Sequence, residues 1–311
     1  MWAISLSILP IFLLLVAGNL LRRNGFPGSD FWHQADRVTY WVLFPALLFF
    51  STATAPFDEE IIDIYALALL GALFVTGLLS LAATKLLKMS GPVSGSIFQG
   101  ATRHNTFIAF AVAEYLFGTE GLLLAAVATS VLVPPTNLFC VSVLVGFQGT
   151  SGSPSLKRRL IQEIIRNPLL LAIAAGAFLN LSGIGPLPVL SDFAGLLSKA
   201  ALPFALLCVG AGLRIKAIHT GASYMLIAGI IKMIIFPVIV AGTAVLVGLE
   251  GVAAMILVIY GAVPTASSGY ALAKQLGGDA DVMAGIITVQ TLISIITLPL
   301  ALTLASAYFL S

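Results

Sequence analysis

The sequence is poor in charged residues. Asp, Glu, Lys and Arg make up only 9% of its 311 residues, whereas a soluble domain carries about a quarter. Hydrophobic residues supply 59% of the chain, and its mean hydropathy is +1.07. This deficit of charge excludes an ordinary soluble domain and indicates a membrane protein that has the lipid bilayer as a partner. The net charge of +2 is also too small to suggest binding to nucleic acid.

Residues that bind metals or form disulfides are scarce as well. The chain has two cysteines and three histidines. Cys140 and Cys208 both lie inside apolar runs, and neither has the spacing of a metal ligand or of a disulfide framework. We therefore expect two free, buried thiols, no metal site and no cofactor.

Long apolar runs, in contrast, occupy most of the chain. A helix needs about 20 mostly apolar residues to span a bilayer, and ten segments approach this length. We predict an all-α polytopic membrane protein, in which the first segment is a span rather than a signal peptide because it lacks a basic n-region and a cleavage site. The predicted spans are residues 3–21, 38–55, 62–86, 94–117, 121–147, 168–183, 191–213, 221–248, 251–275 and 281–309.

The few charged residues are separated by sign between successive loops. Basic residues occupy alternate loops, and acidic residues occupy the others. Because positively charged loops stay in the cytoplasm, we expect both termini outside the plasma membrane, which is the inner membrane in bacteria. The basic loops hold Arg22, Arg23, Arg37, Lys85, Lys88, Lys157, Arg158, Arg159, Arg166, Arg214 and Lys216; the acidic loops hold Asp58, Glu59, Glu60, Asp63, Glu120 and Glu250.

The two halves of the chain resemble each other. Each half has five predicted spans, an odd number, so the second half enters the membrane upside down relative to the first. Inverted repeats of this kind are typical of secondary transporters, whose substrate site lies between the repeats. The predicted divisions are a first repeat at 1–148, a cytoplasmic linker at 149–166 and an inverted repeat at 167–311. The pairs that recur at a spacing of 158 are Pro10 and Pro168, Gly18 and Gly176, Gly25 and Gly183, and Pro45 and Pro203.

Polar residues interrupt the predicted spans four and nine at equivalent places. The interruptions read "QGATRHNTFIAF" and "YGAVPTASSGYALAKQL". Proline breaks a helix, and freed backbone at membrane depth is tolerated only inside protein or along a watery cavity. We therefore predict two broken helices that cross near the bilayer centre. Their half-helix N-termini present unpaired N–H groups and positive dipole ends, which suit an anion. The candidate substrate-binding residues are Arg103, His104, Asn105, Thr106, Pro264, Thr265, Ser267 and Ser268.

A structural interpretation of the same residues stays open. Arg103 could lie at the inner interface and snorkel to the headgroups, and Asn105 could simply cap a helix. His104 and Glu114 are the candidate protonation switches, although a neutral His between helices and an interfacial carboxylate are alternatives. Polar residues elsewhere in the spans are candidates for lining or supporting a cavity: Asn19, Asn137, Lys199 and Lys232. Interhelical hydrogen bonding is the default for the two asparagines. Lys232 could pair with a carboxylate, a backbone break or the substrate, and Lys199 could face the cavity or reach the outer headgroups.

Several motifs occur in order along the whole chain. They are "RHNTFIAF", "NPLLLAIAAGAFLNLSGI", "LPFALLCVGAGL", "VPTASSGYALAKQLGGDAD" and "TLISIITLPL". This ordered set resembles the auxin efflux carrier family of bacterial and plant transporters. The resemblance implies an elevator-type carrier with a scaffold of spans one, two, six and seven and a transport domain of the remaining spans. It also implies a homodimer formed through the scaffold, and organic anions such as auxin, malonate or malate as substrates.

The resemblance places the Arg-x-Asn-Thr pattern of the family on Arg103, Asn105 and Thr106, and the proline of span nine on Pro264. The chain departs from its relatives in having His104 where they often have proline. The break in span four is therefore either milder than in relatives or made by hydrogen bonding of Asn105.

These observations predict a secondary active transporter, or a carrier driven by the membrane potential, and not an enzyme. It would move a small mono- or dicarboxylate across the plasma membrane by alternating access, with protons as the favoured coupling ion. An anion channel is one alternative. The other is an intramembrane serine hydrolase, because "ASSG" at 266–269 weakly resembles a nucleophile elbow and His104 could act as its base.

Overall fold

The computed structural model describes residues 2–54, 60–148, 165–182, 187–219 and 221–310. Within these residues the chain is helical and has no strand. The acidic loop residues Asp58 and Glu59, and most of the predicted cytoplasmic linker, lie outside the described residues. The helices are α1 Trp2–Arg23, α2 Ser29–Val38, α3 Phe44–Thr54, α4 Glu60–Leu86, α5 Gly91–Thr102, α6 Thr106–Gln148, α7 Pro168–Leu181, α8 Pro188–Gly212, α9 Ala222–Ile230, α10 Phe236–Leu246, α11 Gly251–Ala262, α12 Ser268–Gln275 and α13 Ala280–Phe309.

Short irregular turns join some of these helices without a change of direction. A π-helical turn at Thr39–Leu43 connects α2 to α3, and a second at Ile231–Ile235 connects α9 to α10. Gly118, with φ 58° and ψ −138°, interrupts α6 and divides it into two helices. A left-handed φ of this kind strongly favours glycine, so Gly118 sets the predicted boundary between spans four and five.

The apolar helices are those of a polytopic membrane protein. Among the described residues, six segments are long and apolar enough to cross a bilayer, and α7 and α11 are shorter apolar helices. Each of the ten predicted spans falls on one helix or on a consecutive pair of helices. Ten crossings of the bilayer, and the inverted relation of the two halves, remain predictions.

The helices sort into two groups by their packing. α3 packs most extensively against α7 and α8, and α1 packs against α8. We call α1, α2, α3, α7 and α8 the first helix group. The remaining helices, α4 to α6 and α9 to α13, pack mainly against one another and form the second helix group. The assignment of the first group as a scaffold and the second as a transport domain is a proposal taken up below.

Small residues bring the helices of the first group into close contact. A side chain at Gly18 of α1 would overlap the carbonyl oxygen of Leu207 in α8. A side chain at Gly176 of α7 would meet the carbonyl oxygen of Phe49 in α3. Each residue of the second contact lies 158 positions from its counterpart in the first. This recurrence of a helix contact agrees with the predicted internal repeat, which remains a prediction.

Two tyrosines link α11, the first half of predicted span nine, to the helices around it. The Tyr65 hydroxyl of α4 donates to the Ala253 carbonyl of α11 at 2.7 Å. The Tyr260 hydroxyl of α11 donates to the Ala125 carbonyl of α6 at 2.6 Å, and Thr129 Oγ1 lies 2.6 Å from the same hydroxyl. Both tyrosines are fully buried, so α11 is held rigidly within the second helix group.

The close contact at Gly18 gives the first testable prediction. Gly18→Ala places a methyl group against backbone that cannot rotate away, and overpacking of this kind costs about 1–3 kcal/mol. We expect a lower free energy of unfolding in detergent, measured by denaturant titration. Gly71→Ala in α4 is the matched control, because nothing lies within 4 Å of the added methyl. Alanine is the better helix former, so the control should be unchanged or stabilised. Equal effects of both substitutions would contradict the packing.

Candidate functional site

Both predicted interruptions are present in the structure, and their backbones match. α5 ends at Thr102, and Arg103 follows with φ −70° and ψ 154°. α11 ends at Ala262, and Val263 follows with φ −67° and ψ 149°. These equivalent residues lie 160 positions apart, and both adopt extended backbone. The first break therefore has the same backbone conformation as the second, although no proline lies beside Arg103.

Asn105 is the residue that begins the second half-helix of span four, at a break that has no proline. Its Oδ1 accepts a hydrogen bond from the Ile108 N–H at 3.1 Å, and its carbonyl accepts from the Ala109 N–H. This is an N-cap, which satisfies donors that the first turn of a helix leaves unpaired. The structure thus supports the second alternative, in which hydrogen bonding by Asn105 makes the break.

The two breaks are joined to each other through their backbones. The Asn105 N–H donates to the Pro264 carbonyl at 2.8 Å. Thr265 Oγ1 donates to the Gln99 carbonyl at 3.3 Å. The half-helices α5, α6, α11 and α12 therefore cross at one place, which we call the crossover and define as residues 103–105 and 263–267.

Side chains from neighbouring helices satisfy the carbonyl groups that the breaks expose. Gln290 of α13 accepts from the Thr265 N–H at 3.0 Å and donates to the Gly100 carbonyl at 2.9 Å. Lys232, which is fully buried, donates to the Tyr260 carbonyl in the last turn of α11 at 3.3 Å. A cation there also suits the negative end of the helix dipole. Lys232 thus pairs with a backbone break, one of the roles considered for it.

A cavity of about 460 Å³ lies between the two helix groups, beside the crossover. Asn105, Thr106, Ser267 and Ser268 line it on the side of the second group. Helix ends that belong to the predicted cytoplasmic loops contribute Arg22 and Arg214. The other polar lining residues are His33, Asp36, Tyr40 and Tyr270.

A second cavity of about 340 Å³ adjoins the first. Both cavities are lined by Tyr40, Thr106 and Ser268, which therefore mark where they meet. Arg103 and His104 line only the second cavity, together with Asn137 of the predicted support residues. Thr136, Asn167 and Gln275 complete its polar lining.

Arg103 and His104 are buried in the second helix group. Arg103 Nη2 donates to Ser268 Oγ at 3.0 Å, so the side chain turns towards α12 rather than towards the headgroups. The His104 ring lies 5.4 Å from the Tyr260 ring, and neither of its nitrogens has a hydrogen-bond partner among the described residues. Ser267 and Ser268 thus form no hydrogen bond with His104, and the dyad of a serine hydrolase is not assembled.

The other predicted site residues lie elsewhere. Thr265 is fully buried and Pro264 uses its carbonyl for Asn105, and neither lines the two cavities. Asn19 donates to the Gly210 carbonyl at 3.1 Å and links α1 to α8. Glu114 and Lys199 are exposed and line neither cavity. Both cysteines are free and buried, as predicted.

Several residues at the site were not predicted from the sequence, among them Gln290 and Tyr40. Gln290 carries the one amide side chain of the apolar helix α13, and this contrast was the signal that could have identified it. Tyr40 lies in the π-helical turn between α2 and α3, and π-turns occur frequently at functional sites. No local pattern predicts such a turn, although Pro45 just after it removes one backbone donor.

Comparison with known proteins places the chain among transporters. Residues 153–302 match the family model described as "Membrane transport protein". Two archaeal proteins, each named an "Uncharacterized transporter", are similar over nearly their whole length. The protein of Methanothermobacter thermautotrophicus is 26% identical over 94% of this chain and 96% of its own. That of Methanocaldococcus jannaschii is 21% identical over the same shares. A "Putative malonate transporter" of Rhizobium meliloti is 26% identical over 93% of this chain and 92% of its own.

The role of Gln290 can be tested by removing its amide. Gln290→Met keeps the length of the side chain but leaves the Thr265 N–H and the Gly100 carbonyl without partners. A buried unsatisfied polar group costs about 1–3 kcal/mol, so we expect a clearly lower unfolding temperature in detergent. Gln34→Met on the exposed face of α2 is the control and should unfold as the wild type does. Identical unfolding curves for all three proteins would show that Gln290 does not hold the crossover.

Proposed function

We propose that the chain is a carrier of the auxin efflux carrier family, which it resembles, and that its crossover binds a small organic anion and carries it across the plasma membrane. The observation that carries this proposal is the hydrogen bond between Asn105 and Pro264. It brings the N-termini of α6 and α12 to the edge of one cavity. Each N-terminus offers unpaired N–H groups and a partial positive charge to an anion.

The charge around the cavities supports an anion rather than a cation. Arg22, Arg214 and Arg103 line the two cavities, and Asp36 is the one acidic residue among the described lining residues. An arginine within a membrane-spanning segment costs at least about 2.5–3.5 kcal/mol. Arg103 lies in such a segment and has no carboxylate partner among the described residues. An anionic substrate supplies the partner that the protein itself does not.

Alternating access is the mechanism that this architecture suits. We assign the first helix group as the scaffold and the second as the transport domain, because the cavities lie between them. The contacts of Gly18 and Gly176, which recur at a spacing of 158, support two repeats of five spans each, the second inverted. The larger cavity reaches Arg22 and Arg214, on the side predicted to be cytoplasmic. We therefore assign this structure to the inward-facing state.

We also propose that transport is coupled to the movement of protons. A relative named for malonate favours a small carboxylate as the substrate. His104 is the one histidine among the described residues that line the second cavity, and it belongs to the crossover. Glu114 is ten residues further along and exposed, so His104 is the better candidate for proton coupling. Uptake into proteoliposomes that ignores an imposed proton gradient would exclude this coupling.

Asn105→Asp tests the anion site without removing the helix cap. Aspartate retains an oxygen for the Ile108 N–H and caps a helix as well as asparagine does. Its negative charge at the crossover should repel an anion, and like charges in contact cost several kcal/mol. We expect carboxylate binding, measured by calorimetry on the purified protein, to weaken at least about tenfold.

Gln34→Glu adds the same charge on α2 outside both cavities and is the control. Its binding isotherm should match that of the wild type. If Asn105→Asp binds carboxylates as tightly as Gln34→Glu does, the crossover is not the binding site.

A further inference from the structure

Lys232 is a basic residue at membrane depth that the proposed function does not use. It lies within predicted span eight, is fully buried and lines neither cavity. The buried residues that the structure describes include no Asp or Glu, so no buried carboxylate balances this charge. An ionisable residue inside a membrane is costly and is by default a functional residue. The groups that Lys232 contacts therefore indicate its role.

The backbone brings Lys232 to the end of α11. Lys232 lies in the π-helical turn Ile231–Ile235, and such turns occur frequently at functional sites. Just beyond this turn α10 approaches α11 closely, since a Cβ added at Gly261 would lie 3.1 Å from Pro237 Cα. At this approach Lys232 Nζ donates to the Tyr260 carbonyl at 3.3 Å. The amine is therefore fixed at the last turn of α11, directly before the crossover.

The surroundings of Lys232 Nζ favour its charged form. The carbonyl end of a helix carries a partial negative charge, which attracts a cation. The Nζ atom also lies 4.3 Å from the centre of the Phe236 ring, within the range of a cation–π interaction. Burial opposes the charge, but the carbonyl, the helix dipole and the ring all stabilise it. We therefore describe Lys232 as an ammonium ion.

A free cation would suit the position that this ammonium occupies. In transporters with broken helices, the C-terminal ends of half-helices and unwound carbonyls coordinate the coupling ion. Here the Tyr260 carbonyl of α11 accepts from Lys232, and the Gly100 carbonyl of α5 accepts from Gln290. Side chains of the protein thus already bind both of these helix ends.

We propose that Lys232 is the resident cation of the crossover, which takes the place of a coupling metal ion and allows the carrier to bind its anion without sodium. This inference rests on the proposed function. The ammonium offsets the partial negative charge that the end of α11 directs at the crossover, and so reduces the repulsion of an anion bound there. Because Lys232 lines neither cavity, it is a positioning residue that acts through α11 rather than by contact with the anion.

The test removes the ammonium and then returns it. Lys232→Ala removes the outer carbons and the amine of the side chain, which propylammonium can replace. Purified full-length protein is titrated with malonate in N-methylglucamine chloride. We expect the affinity to fall about three- to thirtyfold, the range for a cation at a helix end. Propylammonium should restore most of this loss, whereas 1-propanol, which has a similar size and no charge, should not. Equal restoration by both compounds would show that Lys232 only fills space and would overturn the proposal.

Lys232→Met is a second variant, which keeps most of the length of the side chain without its charge. It should lose a similar affinity for malonate, and propylammonium should not restore it because the space is filled. Lys274→Ala is the matched control. Lys274 lies in the last turn of the half-helix α12 but is exposed, so its loss should leave malonate binding unchanged. Wild-type affinity in Lys232→Met overturns the proposal.

Two further measurements separate this inference from the proposed function. The wild type should bind malonate equally in sodium chloride and in N-methylglucamine chloride at equal ionic strength, and tighter binding in sodium overturns the replacement of a metal ion. Without any carboxylate, propylammonium should raise the unfolding temperature of Lys232→Ala in detergent but not that of Lys274→Ala. If it does so while the wild type binds no carboxylate, the proposed function fails and Lys232 is still the resident cation. If it raises neither temperature, or both alike, the cation site is overturned.

Discussion

The hydrogen bond from the Asn105 N–H to the Pro264 carbonyl, 2.8 Å long, is the contact on which the rest of the structure depends. Backbone freed from a helix inside a membrane needs a partner, because lipid offers none. One break donates the Asn105 N–H to a carbonyl of the other, and the second donates the Thr265 hydroxyl to a carbonyl of the first. Gln290 and Lys232 pair with further carbonyl groups at the helix ends. The crossover is therefore held together by hydrogen bonds within the second helix group. Under the alternating access that we propose, this group would present the same site to either side of the membrane.

The polar groups left over at the crossover define what the protein can bind. The carbonyl ends of α5 and α11 are paired inside the protein, whereas the N-termini of α6 and α12 border the cavities. This asymmetry turns two helix breaks into a region of positive potential. Arg103 extends that region into the second cavity. An anion bound at the crossover, as we propose, would also supply the negative charge that Arg103 does not receive from the described residues.

Much of this architecture could be predicted from the sequence, because hydrophobic length and helix-breaking residues act locally. Pro264 and the run around Arg103 located both breaks, and Gly118 lies at the predicted boundary between spans four and five. The recurrence of Gly18 as Gly176 indicated the repeat. The roles of Gln290 and Thr265 could not be predicted. Gln290 bonds to a carbonyl 190 residues away, and the Thr265 hydroxyl turns to Gln99 instead of the cavity. Such directions depend on how helices pack in three dimensions.

The most direct measurement is the position of a bound substrate analogue. Crystals grown with bromomalonate would locate its bromine by anomalous scattering. The account predicts one strong peak beside Ser268, where the two cavities meet between the helix groups. Bromine found only at Arg22 and Arg214, with none near the crossover, would contradict it.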